Sequence, residues 1–244
     1  MTGKDEMKNF WRTFFLVLLL GGWAGCSTTN APSSTVAAAA TNSFDREILA
    51  FEARDRTNPP PRDAVLFIGS SSVRMWKNVA QDFPQYPVIN RGFGGSQISD
   101  SIHFADRIVA PYRPRLIVFY AGGNDIHAKK SPQRVADDFK TFVQVVRRKL
   151  PSTPITYISI APNPSRWAEV TEVREANRLI REFTTREKGL SFVDVFPLML
   201  GPDGLPLPDI YLADKLHMNP KGYAIWRGPL SEHLARVLGP GTRK

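Results

Sequence analysis

Four short polar segments hold the residues able to do chemistry: Gly69-Ser70-Ser71-Ser72, Asn90-Arg91-Gly92-Phe93-Gly94-Gly95-Ser96, Gly122-Gly123-Asn124-Asp125 and Asp214-Lys215-Leu216-His217. Together they supply hydroxyls, an imidazole, carboxylates, a carboxamide and glycine amides. A serine hydroxyl is a weak nucleophile at neutral pH and needs a base to take its proton as it attacks. Imidazole titrates near neutrality and suits that role. A carboxylate on its other ring nitrogen fixes the tautomer and stabilises the imidazolium. Attack on a carbonyl puts negative charge on its oxygen, which prealigned N–H donors stabilise. Taken singly, each segment has a plainer reading. Serines after a strand are ordinary turn residues, Asn124-Asp125 suits a turn or a helix cap, and Asp214 with His217 can simply organise a loop. Gly92–Gly95 lacks the lysine-bearing phosphate-loop pattern and the dinucleotide fingerprint. Val73 stands where a Gly-x-Ser-x-Gly elbow needs glycine.

The elements between these segments alternate. Ala64–Ile68, Pro87–Asn90, Arg115–Tyr120, Ile155–Ile160 and Ser191–Val195 are short, mostly apolar runs that read as strands. Phe44–Arg56 reads as a helix closed by Asn58-Pro59-Pro60-Pro61. Ser131-Pro132 starts another, with Val135, Phe139, Phe142, Val143, Val146 and Leu150 on one stripe. Trp167, Val170, Val173, Ile180 and Phe183 mark a third, ended by Lys188-Gly189. Asn219-Pro220 opens the last, with Tyr223, Trp226, Leu230, Leu234 and Val237 facing inward. Such alternation predicts a mostly parallel sheet covered on both faces. Right-handed crossovers place every strand's C-terminal end on one edge, where ligands of open α/β sheets bind. All four polar segments fall on that edge. The proline- and glycine-rich stretches Pro162–Trp167 and Gly201–Tyr211 are expected to border the pocket there.

In order and approximate spacing, the four segments resemble the blocks of the SGNH (GDSL-type) hydrolase superfamily, over nearly all of Ala64–Leu238. The resemblance implies a three-layer α/β/α sandwich around a parallel sheet of about five strands, and a serine esterase needing no cofactor or metal. Ser71 matches the serine of the Gly-Asp-Ser block, with Ser70 in place of its aspartate; Ser70 and Ser72 compete for the assignment. Asp214 and His217 match the Asp-x-x-His block. The oxyanion donors implied are the Ser71 amide, Gly95 (Gly94 is the adjacent match) and Asn124. The substrate implied is a carboxylic ester with a short acyl group such as acetyl, on a sugar, polysaccharide or lipid. The rival readings are an O-acyltransferase and a non-catalytic envelope-binding lipoprotein. His127 is expected to serve its loop, and His103 and His233 to be solvated or at the core edge.

The chain has 244 residues with 32 Lys+Arg against 23 Asp+Glu, a net charge of +9, and one cysteine. One cysteine excludes an internal disulfide framework and any cysteine-based metal cluster. Mean hydropathy of −0.24 excludes a polytopic membrane protein. The basic residues are scattered at helix ends, without the aromatic interleaving of a nucleic-acid surface. Residues 1–26 read as an export signal: Lys4, Lys8 and Arg12 precede the apolar run Phe14–Leu20, and Trp23-Ala24-Gly25-Cys26 resembles a lipobox, with Trp23 where leucine is usual. Residues 27–43 are small and polar and read as a disordered tether, leaving 44–244 as one catalytic domain. The expected location is outside the cytoplasm, lipid-anchored through Cys26 and facing the periplasm or exterior. An ordinary secreted form and an uncleaved anchor are the alternatives. Metabolic labelling with a fatty-acid analogue is expected to tag the protein and to be lost in Cys26→Ala; equal labelling of both would remove the anchor.

Overall fold

The computed structural model describes residues 42–239 and 241. Cys26, the export signal and nearly all of the tether lie outside them. Five strands, β1 (Val65–Gly69), β2 (Val88–Gly92), β3 (Leu116–Tyr120), β4 (Ile155–Ile158) and β5 (Leu190–Val193), form one parallel sheet in the order β2-β1-β3-β4-β5. Every residue of β1 and β3 is buried. That explains why both read as unbroken apolar runs rather than alternating ones. Their side chains still divide by parity. Leu66, Ile68, Ile117 and Phe119 enter one core; Val65, Phe67, Leu116 and Val118 enter the other.

Helices complete the outer layers: α1 (Asp45–Thr57), α2 (Ser71–Met75), α3 (Val79–Asp82), α4 (Ile98–Ile108), α5 (Gly123–His127), α6 (Pro132–Lys149), α7 (Val170–Arg186) and α8 (Pro220–Leu238). The first core gathers Ile48 of α1, Phe104 of α4, Phe139 and Phe142 of α6 and Ile180 of α7. Phe119 is its hub, with ring centroids 4.4 Å from Phe142 and 5.6 Å from Phe139. Truncating such a buried ring costs about 3–5 kcal/mol. The second core closes with Trp76 packed between Phe67, Phe83, Tyr223 and Trp226. The result is the three-layer α/β/α sandwich with a five-stranded parallel sheet, and its strand order reverses between β1 and β3.

Element boundaries shift where side chains intervene. The fourth strand ends at Ile158 rather than Ile160, because Asn177 takes both Ile160 backbone groups, the N–H at 2.8 Å and the C=O at 3.0 Å. The fifth spans Leu190–Val193 rather than Ser191–Val195, since the Ser159 hydroxyl accepts from the amides of Val195 and Phe196. Trp167 precedes α7 in a kinked 3-10 segment, Pro164–Glu169, rather than starting the helix. Val237 is 39% exposed, not inward; in that last turn it is Leu238 that packs against the second core. The caps behave as read: Ser131 accepts from the Arg134 amide, and Asn219 from the amides of Lys221 and Gly222.

Candidate active site

At the end of β1 the chain must turn sharply without a side chain. Gly69 has φ +140, and a Cβ there would lie 1.8 Å from the Tyr120 carbonyl oxygen. The Ser70 amide donates to that same carbonyl at 3.0 Å, tying the ends of β1 and β3 together. Ser71 follows as the first residue of α2, anchored from α8 by the Tyr223 hydroxyl on the Ser72 carbonyl at 2.8 Å. The Ser71 amide has no acceptor among the described residues. Of the three serines, Ser71 is the one whose Oγ meets an imidazole, His217 Nε2, at 2.9 Å.

His217 comes from the loop before α8, a segment fixed from both sides. Lys215 takes a left-handed φ of 56°, Leu212 donates to the His217 carbonyl at 2.8 Å, and Tyr211 pairs with Met218. This turn brings Asp214 Oδ2 to 2.6 Å from His217 Nδ1. Asp214 Oδ1 accepts from the amides of Leu216 and His217 at 3.0 and 2.9 Å. Partial burial pushes the Asp214 carboxyl upward, but the His217 bond and the two amides outweigh it and hold it at about 2. An ionised carboxylate on Nδ1 leaves Nε2 free to accept the Ser71 proton.

The third segment supplies Asn124. Gly122, at φ +114, ends β3 where a Cβ would meet Ile160 at 2.7 Å, and α5 begins at once. Asn124 Nδ2 donates to the Ser96 carbonyl at 3.0 Å, while its Oδ1 accepts from Arg166 Nη1 at 3.0 Å. Asp125, fully buried, accepts from the Ile98 amide at 3.2 Å and pairs with Lys130 at 2.8 Å; burial raises its pKa against the pull of Lys130. Its role is to bind the third segment to the start of α4. The second segment places its glycines differently. The Gly94 amide points to the Glu47 carboxylate at 3.3 Å, whereas the Gly95 amide, at φ +74, has no acceptor among the described residues.

Ser71, His217 and Asn124 line one cavity of about 40 Å³, together with Tyr120, Ile160 and Arg166 among others. Gly95 is not on its wall. Of the two stretches expected at the rim, Pro162, Asn163 and Arg166 line the cavity, while Gly201–Tyr211 contributes only Tyr211. Among the described residues no three His, Cys, Asp or Glu side chains gather to hold a metal ion.

The other histidines lie elsewhere. His127 is exposed and bonds Glu169 at 3.0 Å. His103 packs edge-on against Phe104 at 4.6 Å. His233 is buried rather than at the core edge, its Nε2 2.9 Å from Thr156 Oγ1 and 3.1 Å from Ser191 Oγ. The Arg236 guanidinium donates to its Nδ1 at 3.0 Å, so the ring proton sits on Nε2 and the imidazole donates to those hydroxyls. Burial first, then Arg236, lowers its pKa to about 4. His233 is a neutral cross-strand tie, opposite in polarity to a base.

A family model described as the GDSL-like lipase/acylhydrolase family matches residues 63–225. The chain belongs to that family. It is a hydrolase of the GDSL type, and solved structures agree on the fold. A protein described as a platelet activating factor from Streptococcus pneumonia is 24% identical with a TM-score of 0.68, covering 78% of this chain and 92% of its own. A GDSL-like lipase from Bacteroides thetaiotaomicron VPI-5482 is 17% identical at 0.68, covering 78% and 98%. A protein described as an acylhydrolase from Bacteroides fragilis NCTC 9343 is 20% identical at 0.68, covering 78% and 96%. No curated protein matches the chain. In this GDSL-type hydrolase α1 precedes the matched span, yet its Glu47 reaches the glycine segment. Glu47 was not among the residues expected near the site, and Arg166 was expected only as part of the Pro162–Trp167 rim, without its contact to Asn124. Neither has a local signal, since each meets its partner across more than forty residues.

Proposed function

We propose that this GDSL-type hydrolase is a serine esterase for short-acyl, chiefly acetyl, carboxylic esters. The observation that carries the reading is the continuous hydrogen-bond path from Ser71 Oγ through His217 to Asp214. Ser71 Oγ attacks the ester carbonyl carbon as its proton passes to His217 Nε2, and the imidazolium is stabilised by Asp214. The oxyanion is met by the Ser71 amide and Asn124 Nδ2, which line the cavity; the Gly95 amide, off its wall but without an acceptor among the described residues, is the third donor that the family pattern implies. Collapse breaks the bond to the alkoxy oxygen, which leaves with the His217 proton, giving acyl-Ser71 and a free alcohol. Water then repeats the steps with His217 as base, releasing the acid and restoring Ser71. The Asp214 side chain is 47% exposed and that of His217 20%, so solvent reaches the imidazole, which favours hydrolysis over transfer to another acceptor.

The small cavity supports a short acyl group. At about 40 Å³ it is in keeping with a small group next to Ser71. A larger groove of about 420 Å³, lined by Trp76 and Tyr223 among others, shares Met218 with it. With p-nitrophenyl esters, kcat/KM for acetate is expected to exceed that for octanoate by ~10–100-fold, the penalty of forcing extra methylenes into a packed site. A preference for octanoate would remove the short-acyl assignment. We further infer that the protein is exported and lipid-anchored at Cys26, which the lipobox-like end of the leader supports and the Cys26→Ala labelling tests.

A further inference from the structure

We infer that Arg166 is a positioning residue for the oxyanion-stabilising amide of Asn124, a role that rests on the esterase reading above. A carboxamide can sit in either of two flips, and only one presents N–H to a developing oxyanion. Two contacts select that flip here. Arg166 Nη1 donates to Asn124 Oδ1 at 3.0 Å, and Asn124 Nδ2 donates to the Ser96 carbonyl at 3.0 Å. Turning the amide over would set NH₂ against a guanidinium and a carbonyl oxygen against a carbonyl oxygen. With one N–H spent on Ser96, the second Nδ2 hydrogen remains for the cavity that Asn124 and Ser71 both line. A cation on Oδ1 also draws electron density from the amide, making that remaining N–H a stronger donor.

Nothing else accounts for where the guanidinium sits. Arg166 forms no ion pair with a carboxylate among the described residues, although most of its arginine neighbours on α6 and α7 do. Its second contact, Nη1 to the Gly123 carbonyl at 3.2 Å, is to the residue preceding Asn124. The backbone is arranged for this reach. Arg166 sits at a kink (φ −125, ψ 28) in the 3-10 segment Pro164–Glu169, its own amide held by Asn163 Oδ1 at 2.9 Å. The preceding Ser165 amide donates to the Lys215 carbonyl at 3.1 Å, inside the Asp214–His217 turn. One short segment thus registers the oxyanion amide against the base.

The test is a cycle of Arg166→Ala and Asn124→Ala assayed on p-nitrophenyl acetate, a neutral ester. Arg166→Ala is expected to lower kcat ~10-fold with KM within twofold. Arg166→Lys should recover part of that loss, since a lysine can reach one of the two acceptors. In the Asn124→Ala background, the Arg166 substitution should cost less than twofold. A full additional loss in that background would overturn the assignment, as would a kcat within twofold of wild type or a loss expressed only in KM. If Arg166→Ala does not fold, Arg166→Lys and Arg166→Met carry the same comparison. Fluorophosphonate labelling of the wild type at Ser71 separates the cases: no labelling there removes the esterase reading itself, independently of Arg166.

Discussion

Replacing Ser71 by alanine is expected to lower kcat on p-nitrophenyl acetate by ~10⁴–10⁶ and to abolish fluorophosphonate labelling. The hydroxyl is the only group at that position able to form the covalent bond, and nothing replaces it. Neither neighbouring hydroxyl meets the imidazole: His217 Nε2 bonds Ser71 Oγ, and Ser70 is only 6% exposed. Ser70→Ala and Ser72→Ala should therefore keep labelling, which decides among the three serines of the segment. Because nucleophile and base act as a unit, His217→Ala should cost nearly as much alone, and the double variant scarcely more than either. Residual turnover in all three is what the N–H donors and binding still provide. The fold should survive the Ser71 change, since among the described residues its Oγ bonds only His217, and its loss costs about 1 kcal/mol of stability. Wild-type labelling that persists in Ser71→Ala would place the nucleophile elsewhere and end the esterase mechanism drawn on Ser71.

The sequence made the fold readable where apolar run and cap agree. Val65–Ile68 and Leu116–Tyr120 are buried on both faces, so their composition alone marks central strands. Ser131 and Asn219, each followed by proline, mark helix starts by a local hydrogen bond that needs no tertiary context. Strand ends were less legible because side chains from distant elements decide them: Asn177 of α7 terminates β4 by occupying the Ile160 backbone. His233 shows the same limit. Its burial depends on Thr156 and Ser191, which stand on two neighbouring strands and have no sequence relation to it. At the site, Ser71, Asn124, Asp214 and His217 were legible as types at strand ends. Which serine meets the imidazole was not, because it depends on the φ of Gly69 and on how α2 departs from it. The choice between the two glycines turns on Glu47, a residue of α1 that engages the Gly94 amide and leaves that of Gly95 open. The stretch that carries Arg166 was expected at the rim, but its contact with Asn124 was not legible, since a guanidinium reaches far and leaves no periodic mark.

Asp214→Asn is expected to be more damaging than Asp214→Ala, an order that follows from the two oxygens of the carboxylate having different tasks. Oδ1 accepts from the amides of Leu216 and His217 at 3.0 and 2.9 Å, and Oδ2 faces His217 Nδ1 at 2.6 Å. In the asparagine variant the two backbone donors hold the side-chain oxygen where Oδ1 was, so its NH₂ must face Nδ1. A donor there drives the ring proton onto Nε2, and Ser71 Oγ loses its acceptor. The expected fall in kcat is ~10³–10⁴. Alanine leaves a half-exposed gap in which water can accept from Nδ1–H, so the productive tautomer persists and the fall should be only ~10–100-fold. An alanine variant as poor as the asparagine one would mean that charge rather than tautomer dominates. The pH dependence gives a second check. With its carboxyl held at about 2, Asp214 stays ionised throughout the assay range, so substituting it should not remove an acid limb between pH 3 and 5. Its contribution to stability is complete above the ordinary aspartate pKa and is lost only as pH falls from there towards 2. A loss of activity on the acid side within the assay range therefore cannot come from protonating Asp214, and the asparagine variant should show no additional loss there that traces to this carboxyl.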